Sequence, residues 1–372
     1  ADWAREGYIS KAAAALETTP QAIMDAATYR GLSSRCPARD PMHRMPHVGD
    51  DTPHVFIAMD SLKKAGREIK RASALYMQPH HLRVLAQHEG ALDALRPVLS
   101  RMMNGSMPLR ARRWLTLQKV VALSKSSHHQ ADIDERVKAA ENGEADTYEA
   151  PVRPIVIGDA MLRLAEKATM QMYKDVFAKF LMPFQVGVAV AGGMNLWTTA
   201  VECLLQSNHN NVIMSIDLSN MFNDVSREQL CAELLRHEEL RPLARYVQAT
   251  YPPGMVQLTS IEHEWRTLCT ERGLAQGRPL SPALAAILLQ PCIAAAWEAM
   301  KADQGLDDAQ ARRVMGATGY LDDVALIGEP HVVAAGLAAF RTAVAQRGWS
   351  VNLSIGTRAG ASERGGLSRR SG

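Results

Sequence analysis

The chain has little that would staple it, anchor it in a membrane or strongly polarise it. Only five of its 372 residues are cysteines, Cys36, Cys203, Cys231, Cys269 and Cys292, and no two form a CxxC pair. That scatter argues against a disulfide framework and suits a reducing compartment. Cys36, His43, His47 and His54 offer zinc-type ligands in a Pro-rich stretch, but their spacing matches no finger pattern, so they read as loop residues. The strongest apolar stretch, Pro282 to Trp297, is interrupted at Gln290-Pro291 and is too short for a bilayer span; it reads as a buried helix. No signal peptide is recognisable at the N-terminus. An intracellular location, nuclear or cytoplasmic, is therefore expected, with neither secretion nor a membrane partner. There is no internal repeat.

The formal net charge is only +3. Its distribution is less even. Residues 61–125 carry thirteen Lys and Arg against three Asp and Glu, including Lys63, Lys64, Arg67, Lys70, Arg71, Arg110, Arg112 and Arg113. Residues 126–150 reverse the balance, with seven acids against two bases. A basic stripe of this kind is the footprint expected for phosphate backbones, although a solvated helical face has the same composition. Hydrophobic residues make up 47% of the chain and charged residues 22%, which leaves room for two or three subdomains with substantial cores.

Two acidic sites stand out against this background. Gly319-Tyr320-Leu321-Asp322-Asp323-Val324 places adjacent carboxylates between runs of strand-forming residues. Successive side chains of a straight strand point to opposite faces, so both acids can serve one site only if the chain turns sharply there, as at a hairpin tip. Asp217 closes a second apolar run, Val212 to Ile216. Carboxylates gathered from two strand ends suit Mg²⁺, which takes oxygen ligands and commonly one or two carboxylates plus substrate phosphates.

Two further segments accompany these acids. Gly273-Leu274-Ala275-Gln276-Gly277-Arg278-Pro279-Leu280-Ser281-Pro282 lies between them, and Asp217 opens Asp217-Leu218-Ser219-Asn220-Met221-Phe222-Asn223. With these motifs in this order the chain resembles a reverse transcriptase, specifically the polymerase domain of non-LTR retrotransposons. There, aspartate-x4-aromatic, GxxQGxPLSP and YxDD follow one another. Arg153-Pro154-Ile155, and Gly187 with Gly192-Gly193, are similar to the two preceding blocks. The resemblance covers roughly residues 110 to 355 by motif order.

The resemblance implies an α+β fold of the polymerase palm-and-fingers type, with an antiparallel sheet packed on helices and the thumb absent or incomplete. It implies RNA-dependent DNA synthesis on an RNA template and DNA primer from deoxynucleoside triphosphates, with Mg²⁺ or Mn²⁺ as cofactor. Asp217 and Asp322, with Asp323 beside them, are the expected metal ligands and catalytic carboxylates of a two-metal site. Phe222 stands where an aromatic ring excludes ribose by overlap at the 2′ position. Gln276-Gly277 matches the turn on which the nascent base pair rests. Arg153 and, more loosely, Lys125 match cations that hold the triphosphate, where fixed positive charge stabilises the departing pyrophosphate. Arg278 stands where many relatives have aspartate or another small polar residue.

The organisation expected on this basis has an N-terminal extension over 1–59, a fingers-like helical region over 60–190 with the acidic insertion at 126–150, and a palm over 191–355. Residues 356–372, rich in Gly, Ser and Arg, read as a disordered tail. A strand is expected at Val120–Leu123, leading to Lys125, the acidic insertion and then Arg153–Ile157. A capping box at Ser226-Arg227-Glu228-Gln229 predicts a helix with Leu230, Leu234 and Leu235 inward, and a hairpin is expected over Gly254–Ile261 onward. Two departures from the resembled pattern bear on activity. Ala72-Ser73-Ala74 replaces a Gly-rich loop, and Ile355 stands where the block after Gly348-Trp349 supplies a lysine. A truncated or decayed copy that binds nucleic acid without efficient synthesis, an intron maturase and an RNA-dependent RNA polymerase are the alternatives.

Overall fold

The computed structural model describes residues 21–69, 77–124, 129–252 and 254–352. Its eight strands among these residues are β1 (Gln118–Ser124), β2 (Val152–Ile157), β3 (Val212–Leu218), β4 (Met255–Ile261), β5 (Glu264–Thr270), β6 (Gly316–Tyr320), β7 (Asp323–Gly328) and β8 (Val351–Asn352). They form two four-stranded sheets. The chain divides into two compact units, one from Ala1–Met172 with Phe222–Ser281, the other from Tyr173–Met221 with Pro282–Gly372.

In the first unit the sheet order is β2-β1-β4-β5. β1 alternates strictly between buried and half-buried positions, which is what a strand with one covered face requires. It pairs antiparallel with β2, with Val120 opposite Val156 and Leu123 opposite Arg153. β4 and β5 make a hairpin closed by Glu262 and His263, both at positive φ, as a two-residue primed turn demands. β1 and β4 are parallel, so this sheet is mixed, whereas the sequence reading expects a single antiparallel sheet. The parallel pair joins segments far apart in the chain, and no local pattern signals such a crossover. Helices Met59–Glu68, Glu89–Met103 and Ala160–Met172 pack together through Leu62, Leu92, Leu99, Leu164 and Ala165, all buried. The helix Arg227–Arg236 is capped by Ser226, whose Oγ accepts the Gln229 N–H at 3.2 Å. The carboxylate that meets the Ser226 hydroxyl belongs to Glu228, at 3.0 Å, while the Gln229 amide lies 3.4 Å from His43 Nε2. Leu230 and Leu234 are buried; Leu235 is half-buried.

In the second unit the order is β6-β7-β3-β8 and every pairing is antiparallel. The helices Gly193–Ser207 and Pro330–Ala345 pack on this sheet. The helix Ser281–Gln304 runs through Pro291 without a break, and it contains the stretch Pro282 to Trp297 as the buried helix expected. The proline removes one helical hydrogen bond, but Leu284, Ile287, Leu288, Leu289, Ile293 and Met300 are all buried. At about 1.5–3 kcal/mol for each such side chain, packing outweighs the lost bond. This helix is long and apolar enough to cross a membrane by length and composition, but 72% of its apolar window is buried within the protein.

Candidate active site

β3 and β7 bring the acids together. Their register pairs Val212 with Gly328 and runs to Ile216 opposite Val324. One step further along that register sets Asp217 opposite Asp323. Residues opposite one another in an antiparallel pair share a face. Ile216 and Val324 are buried on the inner face, so Asp217 and Asp323, both exposed, project from the other. On its far side Asp217 pairs with Asn352 of β8, and the Ser219 N–H donates to the Ser350 carbonyl at 3.0 Å. The Gly348-Trp349-Ser350-Val351-Asn352 block thus borders the first acid, with Trp349 buried beneath.

Asp322 reaches the same edge through the turn. Tyr320 pairs with Asp323, which leaves Leu321 and Asp322 as a two-residue hairpin loop. Leu321 has φ +60 and Asp322 is not at positive φ, the pattern of a type II′ turn, in which glycine usually takes the first place. The sharp turn at Asp322-Asp323 expected from the sequence is present. A leucine held left-handed costs about 1–2 kcal/mol, and the fold compensates from one side chain. Gln185, fully buried, accepts the Leu321 N–H at 2.8 Å on Oε1 and donates Nε2–H to the Leu321 carbonyl at 2.9 Å. Two such bonds, each about 1 kcal/mol net, offset the strain. Gly187 allows this approach, because a Cβ there would stand 2.6 Å from the Leu321 nitrogen. The Tyr320 ring lies 6.3 Å from that of Trp197.

Asp323 carries the electrostatic record of this gathering. Its carboxyl is pushed above the usual carboxylate range, first by partial desolvation at the strand end and then by the charges of Asp322 and Asp217. Three mutually repelling carboxylates at one sheet edge fit a divalent cation, whose charge would relieve that repulsion. No group of three or more His, Cys, Asp or Glu side chains among the described residues is drawn tightly enough to cage an ion alone. An open edge is the arrangement that Mg²⁺ tolerates, since it retains waters and takes phosphate oxygens from a substrate.

The other candidate residues belong to the first unit, where backbone bonds join them into one scaffold. Phe222 lies on the helical turn Met221–Asp224 and is half-buried. Its carbonyl accepts the Leu274 N–H at 2.6 Å, and the Val225 carbonyl accepts the Gly273 N–H at 2.8 Å. Two residues on, the Gln276 carbonyl accepts the Val156 N–H of β2 at 2.7 Å. Gly277 has φ +108, and a Cβ would lie 2.6 Å from the Val156 carbonyl oxygen, so no larger residue fits that turn. The same Cβ position is 3.7 Å from Ile155 Cγ2. Arg153 shares the Ile155 face of β2 and is exposed. Lys125 lies outside the described residues, as do Lys70, Arg71, Ala72 to Ala74, Ile355 and the tail.

Beneath the Gln276-Gly277 turn is a buried polar cluster that sequence reasoning missed. Arg278 and Glu166 are ion-paired with both side chains fully buried, and Arg278 Nε donates to Glu166 Oε1 at 2.7 Å. The Tyr246 hydroxyl donates to the same oxygen at 2.7 Å and accepts from Arg278 Nη2 at 2.8 Å. The Tyr251 ring lies 4.5 Å below the guanidinium. Burial alone would lower the Arg278 pKa, but the charge of Glu166 more than offsets it and holds the group firmly protonated. Arg227, whose guanidinium lies 5.5 Å from the same Tyr251 ring, donates to the carbonyls of Gly273, Pro252, Thr270 and Arg272. Burial draws its pKa down to about 10, still charged at neutral pH. The signal for Glu166 was available: it lies one turn after Leu162 on the buried stripe of a helix, where a carboxylate needs a partner.

A comparison with curated proteins finds no match. The family model described as reverse transcriptase (RNA-dependent DNA polymerase) matches residues 145–355, more than half of the chain, and spans all three acids, Phe222 and the Gln276-Gly277 turn. The chain belongs to the reverse transcriptase (RNA-dependent DNA polymerase) family.

Proposed function

We propose that this chain is the polymerase domain of a non-LTR retroelement, copying an RNA template into DNA from a DNA primer. The observation that carries the proposal is the convergence of Asp217, Asp322 and Asp323 on one sheet edge, supported by the raised Asp323 pKa. In this reading the second unit is the palm, and the first supplies the fingers. Asp217 and Asp322, with Asp323, hold the two divalent ions, which supply activation of a primer 3′-hydroxyl and charge stabilisation on the leaving group. Arg153, and Lys125 after β1, bind the triphosphate. Gln276 and Gly277 support the nascent base pair, on a turn held tightly against β2 because Gly277 has no side chain. Phe222, half-buried rather than part of the packed core, presents its ring to the sugar and excludes a 2′-hydroxyl.

Single-nucleotide extension of a DNA primer on an RNA template, with Mg²⁺ and with Mn²⁺, tests the proposal on the full chain. Asp322→Asn should reduce incorporation by about 10³-fold, equivalent to the several kcal/mol that a metal site supplies, without lowering the melting temperature. Equal activity in Asp322→Asn and the unsubstituted chain would end the assignment. A second reading, a copy that binds nucleic acid without efficient synthesis, is favoured by Ile355 in place of the resembled lysine. Salt-sensitive primer–template binding with no extension under either metal would select it.

A further inference from the structure

We propose that Gln185 is a positioning residue for the metal-binding hairpin, setting where Asp322 stands by fixing the backbone of Leu321; this rests on the metal-site reading above. Leu321 lies beyond the last paired residues of the hairpin, Tyr320 and Asp323, so no strand partner receives its N–H or its carbonyl. Gln185 supplies both from one amide, the side-chain type that donates and accepts at once. The backbone around Gln185 holds the same strand two residues earlier. The Val186 N–H donates to the Gly319 carbonyl at 2.9 Å, and the Gly319 N–H donates to the Phe184 carbonyl at 2.6 Å. The hairpin end is therefore held at Gly319 by main chain and at Leu321 by side chain.

The consequence for Asp322 follows from peptide planarity. The Leu321 carbonyl lies in the same rigid plane as the nitrogen and Cα of Asp322. Holding that oxygen with Gln185 Nε2 fixes the root of the Asp322 side chain, while the bond to the Leu321 N–H fixes the preceding plane. The Gln185 Oε1 also accepts the Gly187 N–H at 3.3 Å, which orients the amide and leaves Nε2 facing Leu321. Gln185 is completely buried and has no route to substrate, so it acts only through the hairpin.

Gln185→Met keeps the volume and removes both hydrogen bonds. The inference expects faster hydrogen exchange at the Leu321 amide, with the β3–β7 amides unchanged. It also expects Mn²⁺ affinity, measured by titration calorimetry without nucleic acid, to weaken by about 10–100-fold, as for other groups that orient a metal ligand. In extension assays kcat should fall and half-saturating Mg²⁺ should rise, while the KM for the deoxynucleotide stays near its original value. Gly187→Ala approaches the same turn from another atom and should shift Mn²⁺ affinity in the same direction; it serves if Gln185→Met does not fold. Unchanged Leu321 exchange, or unchanged Mn²⁺ affinity in a folded variant of either kind, would overturn the inference. Absence of Mn²⁺ binding in the unsubstituted chain would instead remove the metal-site reading, and the inference with it.

Discussion

Charge is handled in opposite ways in the two units. At the β3–β7 edge three carboxylates stand together, Asp217 and Asp323 exposed and Asp323 pushed toward its neutral form by partial desolvation and by the charges of its two neighbours. Beneath the Gln276-Gly277 turn, Arg278 and Glu166 are fully buried, paired and shared with Tyr246. Like charges held together serve something that is brought to them, at a small cost to the fold. Opposite charges sealed from water serve the fold itself, because each would be ruinous there alone. The difference separates the residues that would handle ligand from those that hold the frame, although both kinds lie next to family motifs.

The sharpest way to break this comparison is to remove one member of the buried pair. Glu166→Ala leaves the Arg278 guanidinium uncompensated and should cost about 3–5 kcal/mol of stability. Glu166→Ala combined with Arg278→Met should recover much of that loss, since replacing a buried pair by apolar groups is often neutral. Urea denaturation of the two variants decides it. A single substitution costing less than about 1 kcal/mol would mean that water reaches the cluster and that its charges are not sealed.

The two regions also differ in how far they could be read from sequence. The carboxylate edge was legible, since Asp217 and Asp322-Asp323 each end or interrupt a strand-forming run, and a paired turn is what adjacent acids need. Both hairpins, β1 and the Ser226 cap were legible for the same local reasons. The parallel β1–β4 pairing was not, because nothing within either strand encodes a distant neighbour. The buried helix across Pro291 was legible from its apolar run, although its extension to Gln304 was not. Arg278 was read only as a departure from the aspartate or small polar residue of many relatives; its partner lies over a hundred positions away in Glu166, and only the fold shows the compensation. Gln185 gave no sign beyond standing two residues before Gly187.

A smaller effect is expected at Phe222, which stands between the two behaviours because it is neither exposed like the acids nor sealed like Arg278. Phe222→Ala opens space at the proposed sugar position. Ribonucleotide incorporation relative to deoxyribonucleotide should rise by about tenfold, roughly 1.4 kcal/mol of discrimination. Truncating a fully packed phenylalanine would cost about 3–5 kcal/mol of stability, and the half-buried ring should cost less. Paired single-nucleotide extensions and a melting curve separate the outcomes. A large stability loss with an unchanged sugar ratio would return Phe222 to the core and weaken the preference for DNA over RNA synthesis.

The smallest effect concerns the acids themselves and is a matter of sign. Asp323 has its folded-state pKa raised, so the folded chain holds that proton more tightly than the unfolded chain. Stability from this group is present at low pH and declines as pH rises from the ordinary carboxylate value through the raised one. Asp323→Asn removes the charge that Asp322 and Asp217 oppose. The variant should therefore be more stable than the unsubstituted chain at pH 7 without divalent metal, with the difference vanishing toward about pH 4, where the unfolded carboxylate is itself half protonated. Solvent and salt screen an exposed site, so the gain should not exceed about 0.5 kcal/mol. Added Mg²⁺ should reverse the order, because the unsubstituted chain gains a bound ion that the variant binds less well. Melting curves at pH 4 and pH 7, with and without Mg²⁺, give four numbers whose pattern is fixed in advance. A variant less stable at pH 7 in metal-free buffer would mean that Asp323 supports the fold, and the contrast between an edge that awaits a ligand and a core that holds itself together would fail at its most exposed residue.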